Sequence, residues 1–328
     1  MGHIVRCTTI AKKLRECAPD AEIMFLTKEP EGKGYVQKEG FRALDVERNE
    51  ISQITNLISG ETILITDFLD TDGDYISRIR ATEGIRVISI DNNTRFKKLA
   101  AHVVVNANVF DEGDTKTVGS TPYYLGPKYV VLREEIRRAH DEADPVRDKV
   151  VGVLVMSGGG DMVGGRLTLT SVEALKDMPT EVSINLVVGP TFPYKAELRH
   201  LLLTVARPFN VFLDPPNVVE IMRTADLAIT AAGTALYELA AIGIPTIAVP
   251  QVAGGSTHQV DIANYFEKRG ACLNAGRSAS TEQLHTMASE VIKDKTLRKR
   301  LSDNGRMLVD GRGLERLLQI IFGLSSPR

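Results

Sequence analysis

Residues 226–250, DLAITAAGTALYELAAIGIPTIAVP, decide the fold. Two short apolar segments, 226–230 and 246–249, predict strands, and residues 235–242 predict the helix between them. Gly233 and Thr234 follow the first strand, where the glycine allows a tight turn and the threonine is expected to cap the helix. A strand, a glycine turn, a helix and a second strand in this order predict a parallel βαβ unit.

The same alternation of strand-like and helix-like segments runs along the whole chain. Further strands are expected at 21–27, 62–66, 86–90, 102–106, 150–156, 181–188 and 210–213. Apolar strands joined by helices indicate parallel sheets that are covered on both faces. The charged stretch 140–149 is the best linker, so we expect two doubly wound domains, at residues 1–140 and 150–328.

Composition and charge exclude several classes of protein. The 328 residues include 40 Lys+Arg and 42 Asp+Glu, a net charge of −2, so a dedicated nucleic-acid-binding protein is not expected. No apolar run approaches the roughly 18 residues of a membrane-spanning helix. Three cysteines, at positions 7, 17 and 272, lack metal-ligand spacing, so neither a metal site nor disulfides are expected. These features together predict a cytoplasmic protein; the oligomeric state is left open.

Three glycine-rich turns, at residues 1–3, 157–161 and 231–234, are candidate ligand-binding loops. Glycines let the backbone approach an anion, and the first N–H groups of a helix attract negative charge. The candidate binding residues in the second and third turns are Ser157, Gly158, Gly159, Asp161, Gly233 and Thr234. Since none of these turns has a Walker A or GxGxxG pattern, a kinase and a nicotinamide dehydrogenase are disfavoured. Tight turns that bind no ligand are the alternative.

Three polar residues near the third turn are further candidates. Glu238 lies beyond the capping position of the expected helix, so its carboxylate is available to accept both hydroxyls of a ribose. A solvated acid that complements the helix dipole is the alternative. His258 and Gln259 follow the glycine-containing loop 250–257 and are expected to open the next helix; a structural role is the alternative for this histidine.

The N-terminal residues predict a helix that lacks the strand expected before it. Apolar residues recur at helical spacing from Ile4 to Leu14, directly after Gly2 and His3. A glycine turn that opens a helix normally follows a strand in an α/β protein. We therefore expect the reading frame upstream of Met1 to encode a short apolar strand that ends in a Gly-x-Gly turn.

Six segments, read in order, resemble one known family. They are GHIVR at 2–6, LGPKYVVLR at 125–133, SGGGD at 157–161, AAGTALYELAAIGIP at 231–245, HQ at 258–259 and DGRG at 310–313. The family comprises the UDP-2,4-diacetamido-2,4,6-trideoxy-β-L-altropyranose hydrolases of pseudaminic acid biosynthesis and related spore-coat polysaccharide proteins. The C-terminal half also resembles the family 28 glycosyltransferases.

This resemblance implies a GT-B fold, in which two Rossmann-like domains face a cleft, and hydrolysis of a UDP-activated amino sugar without a metal or other cofactor. It implies that His3 is the base that activates water, a role suited to neutral imidazole. It further implies substrate or nucleotide binding by Gly2 and Arg6, by the 157–161 loop and Gly233-Thr234 at the diphosphate, by Glu238 at the ribose, and by His258-Gln259.

Two departures from the family leave other functions open. A tyrosine expected soon after Asp67 is absent, and His258 stands where the family has an asparagine. The pair His258-Gln259 is more typical of glycosyltransferases. Hydrolysis of a UDP-sugar in surface polysaccharide biosynthesis is therefore the main hypothesis, a GT-B glycosyltransferase with a UDP-sugar donor is the alternative, and a non-catalytic nucleotide-sugar-binding protein is the third.

Overall fold

The computed structural model describes residues 2–46, 50–57, 61–68, 71–94, 96–108, 110, 115–158, 166–189, 191–252 and 257–325. Two compact units divide the chain: the first comprises residues 1–133 and 312–328, and the second comprises 134–311. Each unit is an α/β structure built around parallel strands, which confirms the expected fold class. Within the described ranges, no helix combines the length and apolar character needed to cross a membrane.

The first unit has five helices and seven strands within its described residues. The helices are α1 (Gly2–Cys17), α2 (Pro30–Lys38), α3 (Glu50–Leu57), α4 (Gly73–Arg80) and α13 (Gly313–Ser325). The strands are β1 (Met24–Thr27), β2 (Arg42–Asp45), β3 (Thr62–Phe68), β4 (Ile85–Asp91), β5 (Val103–Asn106), β6 (Thr115–Val118) and β7 (Thr121–Leu125).

The strands of the first unit form two separate sheets. β1 and β2 pair in parallel, and the other sheet has the order β3-β4-β5-β7-β6. All pairs of the larger sheet are parallel except the antiparallel hairpin of β6 and β7, which was not predicted from the sequence. Asp67 lies near the carboxyl end of β3, and Asn92 directly follows β4.

The C-terminal helix α13 belongs to the first unit, so the expected second domain at 150–328 extends too far. Leu314, Leu317 and Ile321 of α13 pack in one apolar cluster with Ile10 of α1 and Val105 of β5. Gly313 makes this packing possible, because a Cβ at that position would lie 2.0 Å from the carbonyl oxygen of Val130. The apolar face of α13 packs against the first unit, so this helix belongs to the first unit although it follows the second unit in the sequence.

The second unit contains eight helices and six strands among its described residues. The helices are α5 (Glu134–Asp141), α6 (Arg166–Leu175), α7 (Lys195–Thr204), α8 (Val218–Arg223), α9 (Thr234–Ile242), α10 (His258–Lys268), α11 (Thr281–Lys293) and α12 (Lys295–Leu308). The strands are β8 (Gly152–Met156), β9 (Ser183–Val188), β10 (Asn210–Leu213), β11 (Leu227–Thr230), β12 (Thr246–Ala248) and β13 (Leu273–Asn274).

The six strands of the second unit form a fully parallel sheet of order β10-β9-β8-β11-β12-β13. The order runs outward in both directions from the adjacent pair β8 and β11, so the loops after these two strands turn to opposite sides of the sheet. This topological switch point is the usual ligand-binding position of doubly wound sheets. Ser157 follows β8, and the turn that contains Gly233 follows β11.

Candidate functional site

In the first unit, His3 is held by a buried carboxylate. Its Nδ1 lies 2.7 Å from Oδ1 of Asp67, whose side chain is 2% exposed, whereas the His3 side chain is 36% exposed. A carboxylate only accepts hydrogen bonds, so Nδ1 carries a proton, and in the neutral imidazole Nε2 is then the nitrogen with the lone pair. This tautomer is the one that a general base requires.

Arg6 and Asn92 fix the carboxylate of Asp67. Arg6 donates from Nε to Oδ2 at 2.7 Å and from Nη2 to Oδ1 at 2.6 Å, a bidentate arrangement. Asn92 donates from Nδ2 to Oδ1 of Asp67 at 3.0 Å, and its own Oδ1 accepts from Nη2 of Arg6 at 2.8 Å. Asp67 is thereby oriented before it contacts the imidazole of His3.

These contacts keep Asp67 ionised in a buried position. Burial by itself opposes ionisation, but the hydrogen bonds from His3 and Arg6, together with the charge of Arg6, lower the pKa of Asp67 to about 2. The neighbouring Cys7 shows the opposite effect: burial, aided by the charge of Asp67, raises the pKa of its thiol. Cys7 therefore stays protonated and is not a nucleophile.

The sequence pattern indicated His3 and Arg6 as site residues but not Asp67 and Asn92. A signal for both residues was present, because each is a polar residue at the carboxyl end of an apolar strand. Gly2 and His3 lie in the first turn of α1, whereas a turn before the helix was expected. Arg6, predicted to bind substrate, binds Asp67 and Asn92 in this structure.

In the second unit, two buried hydroxyl groups lie at the switch point. Ser157 is 5% exposed and Thr230 is 0% exposed, and within the described part of the chain neither side-chain oxygen has a hydrogen-bond partner. An unsatisfied buried hydroxyl costs about 1–3 kcal/mol. Gly158 adopts a φ of +80°, a conformation that favours glycine. Gly159 and Asp161 lie outside the described residues.

The turn after β11 differs in one detail from the prediction. Gly233 is the N-cap of α9, with φ −104° and ψ −151°, and Thr234 is the first helical residue, so the expected threonine cap is wrong. Gly233 has an extended backbone, which the N-cap position requires, whereas Thr234 already has the helical one. The N–H groups of the first turn of α9 begin directly after this glycine.

Glu238 is buried within α9, with 6% of its surface exposed. The alternative of a solvated acid at the helix start is therefore wrong. α9 is buried from Ala235 to Ile242, and Glu238 is its one charged residue. Fully buried glutamates are uncommon, so the position is a candidate for ligand recognition.

The side chain of Gln259 lies between the segment after β12 and the turn after β11. It is 8% exposed, and its Oε1 accepts a hydrogen bond of 2.9 Å from the backbone N–H of Gln251. Its Nε2 would lie 3.7 Å from a Cβ built on Gly233, so the structure brings Gln259 and the Gly233 turn together. His258 opens α10 as expected, and burial lowers its pKa, although Asp261 partly opposes the shift.

The second unit is similar to a known protein family. Residues 172–307 match the family model of the glycosyltransferase family 28 C-terminal domain. The matched range contains Gly233, Glu238 and His258-Gln259.

Three relatives extend the similarity over more of the chain. The uncharacterised protein MJ1062 of Methanocaldococcus jannaschii is 29% identical over 261 residues, which cover 76% of this chain and 53% of that protein, so this chain spans about half its length. The spore coat polysaccharide biosynthesis protein SpsG of Bacillus subtilis is 25% identical over 334 residues, which cover 99% and 94%. A UDP-N-acetylglucosamine--N-acetylmuramyl-(pentapeptide) pyrophosphoryl-undecaprenol N-acetylglucosamine transferase of Caldanaerobacter subterraneus is 24% identical over 311 residues, covering 82% of each chain.

A solved structure shows the same fold. The crystal structure of Acinetobacter baumannii MurG superposes with a TM-score of 0.71 at 15% identity and covers 98% of this chain and 96% of that one. The similarity to SpsG supports the spore-coat part of the expected resemblance, while the hydrolase identity stays a prediction. The chain therefore has the GT-B fold, and residues 172–307 of its second unit are similar to the glycosyltransferase family 28 C-terminal domain.

Proposed function

We propose that the chain is a glycosyltransferase that uses a UDP-sugar donor. The observation that carries the proposal is the position of the family 28 match, which contains the β11 side of the switch point with Gly233, Glu238 and Gln259. Ser157 follows β8, on the other side of the same switch point. In this proposal Glu238 accepts the ribose hydroxyls, and the N–H groups of the first turn of α9 stabilise the diphosphate.

His3 supplies the base in this proposal. An acceptor hydroxyl attacks the anomeric carbon, its proton passes to Nε2 of His3, and the bond from that carbon to the UDP oxygen breaks with both electrons on UDP. Asp67 stabilises the imidazolium that forms, because its carboxylate stays ionised beside Nδ1. No group beyond these residues is needed for the proton balance.

Hydrolysis of a UDP-activated amino sugar, as in pseudaminic acid biosynthesis, is the second candidate. The segment Leu125–Tyr129 favours it, because this is the most specific element of the resemblance to the hydrolases. Gly126 has a φ of +93° at the start of a 3-10 turn, Pro127–Tyr129, so a glycine is required at this position. In hydrolysis, water replaces the acceptor hydroxyl and His3 keeps the same role.

Release of UDP from UDP-N-acetylglucosamine and related UDP-amino sugars, with and without hydroxyl acceptors, separates the candidates. UDP release that requires an acceptor supports transfer, and UDP release in buffer alone supports hydrolysis. Binding of the UDP-sugar with no release of UDP under either condition supports a binding protein. The His3→Asn variant is expected to lower turnover by about 10²–10⁴ while UDP affinity is retained. His200→Asn, at an exposed position of α7, is the matched control.

A further inference from the structure

Two charged side chains of opposite sign lie at similar distances from the imidazole of His3. Its Nδ1 is 2.7 Å from Oδ1 of Asp67 and 3.2 Å from Nη2 of Arg6. A negative charge beside a histidine favours the protonated imidazolium, and a positive charge opposes it. Asp67 and Arg6 therefore act in opposite directions on the affinity of Nε2 for a proton.

The approach of Arg6 to His3 is a contact between two donors. A guanidinium nitrogen only donates hydrogen bonds, and Nδ1 of His3 is already the donor to Oδ1 of Asp67. The 3.2 Å separation therefore places a positive charge beside the ring with no hydrogen bond between the two groups. A neutral imidazole tolerates this neighbour, whereas an imidazolium is repelled by it.

The position of Arg6 beside the ring is fixed by its other bonds. Residues 3 and 6 of α1 are three apart, so their side chains lie on neighbouring positions of one helix face. Arg6 donates from Nε to Oδ2 of Asp67 at 2.7 Å and from Nη2 to Oδ1 of Asn92 at 2.8 Å. The guanidinium cannot move away from His3 without breaking these bonds.

Arg6 also competes with His3 for the carboxylate. Oδ1 of Asp67 accepts hydrogen bonds from Nδ1 of His3 at 2.7 Å, from Nη2 of Arg6 at 2.6 Å and from Nδ2 of Asn92 at 3.0 Å. Because three donors share this oxygen, it stabilises an imidazolium less than a carboxylate bound to histidine alone would.

The charges of this group are weakly screened by water. The side chain of Asp67 is 2% exposed and that of Arg6 is 20% exposed. Within the part of the chain that the structure describes, the titratable and charged groups bonded to His3 or to its carboxylate are Asp67 of β3 and Arg6 and Cys7 of α1. The thiol of Cys7 stays neutral, so the balance at the imidazole is set by Asp67 and Arg6.

We propose that Arg6 is a positioning residue that opposes protonation of His3 before the substrate binds. This inference rests on the proposed function, in which His3 is the base. Asp67 alone would orient the ring but would also favour its charged form, which has no lone pair at Nε2 and cannot accept a proton. With Arg6 in place, Asp67 orients the ring and the ring remains available as a base.

Titration of His3 by NMR tests the proposal without a substrate. The ¹⁵N signals of labelled histidines are followed against pH, and those of His3 are assigned by their loss in His3→Asn. In Arg6→Gln the midpoint of the His3 titration should rise by at least about 1 pH unit, because the opposing charge is gone. Arg6→Lys keeps the charge and should titrate closer to the parent chain than Arg6→Gln does.

Arg15→Gln is the matched control for the loss of one positive charge from α1. Arg15 is exposed and lies about 18 Å from His3 along the helix axis, so this variant should titrate like the parent chain.

A second pair of variants repeats the test without leaving the buried carboxylate deprived of Arg6. In Asp67→Asn the guanidinium remains beside the ring, and in the double variant Arg6→Gln with Asp67→Asn both charges are absent. His3 should titrate at higher pH in the double variant than in Asp67→Asn. Equal midpoints in this pair, or equal midpoints in the parent chain and Arg6→Gln, would overturn the proposal.

The pH dependence of turnover separates this role from a purely structural one. Arg6→Gln should lose turnover near neutral pH and regain most of it above about pH 8.5, where His3 is again neutral. A loss by the same factor at every pH would contradict the proposal. A chain that releases no UDP from any UDP-sugar would instead refute the proposed function, because the titration of His3 is measured without substrate.

Discussion

Nδ1 of His3 lies 2.7 Å from Oδ1 of Asp67, although 64 residues separate the two in the sequence. The contact joins the first turn of α1 to the carboxyl end of β3, and Arg6 reinforces it from one helical turn away. Since the carboxylate is buried and already bound by Arg6, it holds the imidazole in one orientation and one tautomer. This contact makes His3 more suitable as a base than a histidine at a solvated helix start.

Replacing Asp67 by asparagine should reduce turnover. The amide of the substituted side chain has the shape of the carboxylate but lacks its charge, so it no longer stabilises the imidazolium, and we expect turnover to fall by about 10²–10⁴. UDP affinity, measured by titration calorimetry, should be unchanged, because Asp67 lies outside the proposed nucleotide site. Asp74→Asn, at an exposed position of α4, is the control and should retain turnover.

Asp67 should also make stability depend on pH in the acid range. Its folded-state pKa of about 2 lies below the ordinary value of 3.8, so its stabilising contribution is fully present above about pH 4 and is lost as pH falls towards 2. The size of the shift corresponds to about 2 kcal/mol. Urea unfolding at several pH values should show the difference between the parent chain and Asp67→Asn narrowing on acidification; a constant difference would contradict the assignment.

Glu238 should contribute to nucleotide affinity. Glu238→Gln keeps the size of the buried side chain but removes the charged acceptor, so UDP binding should weaken by about 1.5–3 kcal/mol, or roughly 10- to 150-fold in Kd. Calorimetric titration of UDP gives this value directly. Glu220→Gln, on the exposed face of α8, should bind UDP like the parent chain. Equal UDP affinities of the two variants would show that Glu238 does not contribute to UDP binding.

His258 should destabilise the second unit under mildly acidic conditions. Its pKa is lowered by burial, so on acidification the unfolded chain takes up a proton at this residue before the folded chain does. Stability should therefore fall as pH drops below the ordinary histidine pKa of about 6.5. His258→Asn should show a smaller loss of thermal stability between about pH 7 and pH 5. A loss as large as in the parent chain would assign the acid sensitivity to other groups.

Gly313 should be essential for packing of α13. A Cβ there would lie 2.0 Å from the Val130 oxygen, so Gly313→Ala must shift the helix or the neighbouring backbone and should cost about 2–4 kcal/mol of unfolding free energy. Gly323→Ala in the same helix is the matched control, because a Cβ at position 323 has no neighbour within 4 Å. The control should be neutral or stabilising by up to about 1 kcal/mol. Chemical denaturation of both variants measures the difference.

The sequence predicted those parts of the fold that depend on local pattern. The alternation around residues 226–250 predicted β11, α9 and β12 and the fold class. Ligand binding by the glycine turns at the strand ends stays a prediction. The sequence could not distinguish a buried from a solvated Glu238, because the helix around that residue is buried on all sides only once the neighbouring elements have packed.

Contacts between distant residues were not predictable from one sequence. The ends of their strands mark Asp67 and Asn92 as polar residues at one edge of the sheet, but nothing in the sequence indicates that Arg6 of α1 binds both. The assignment of α13 to the first unit depends in the same way on contacts such as that of Arg316 with the carbonyl of Lys128, which lies 188 residues earlier. Such contacts are set by how helices pack on sheets, and no periodicity in the sequence encodes them.

The placement of α13 has a consequence for the order in which the chain acquires its structure during synthesis. The second unit, residues 134–311, is continuous and emerges from the ribosome before α13 does. The first unit begins earlier, but its apolar cluster around Ile10 and Val105 needs Leu317 and Ile321. We therefore expect the first unit to reach its final stability last, after translation has passed residue 325, although it contains the N-terminus.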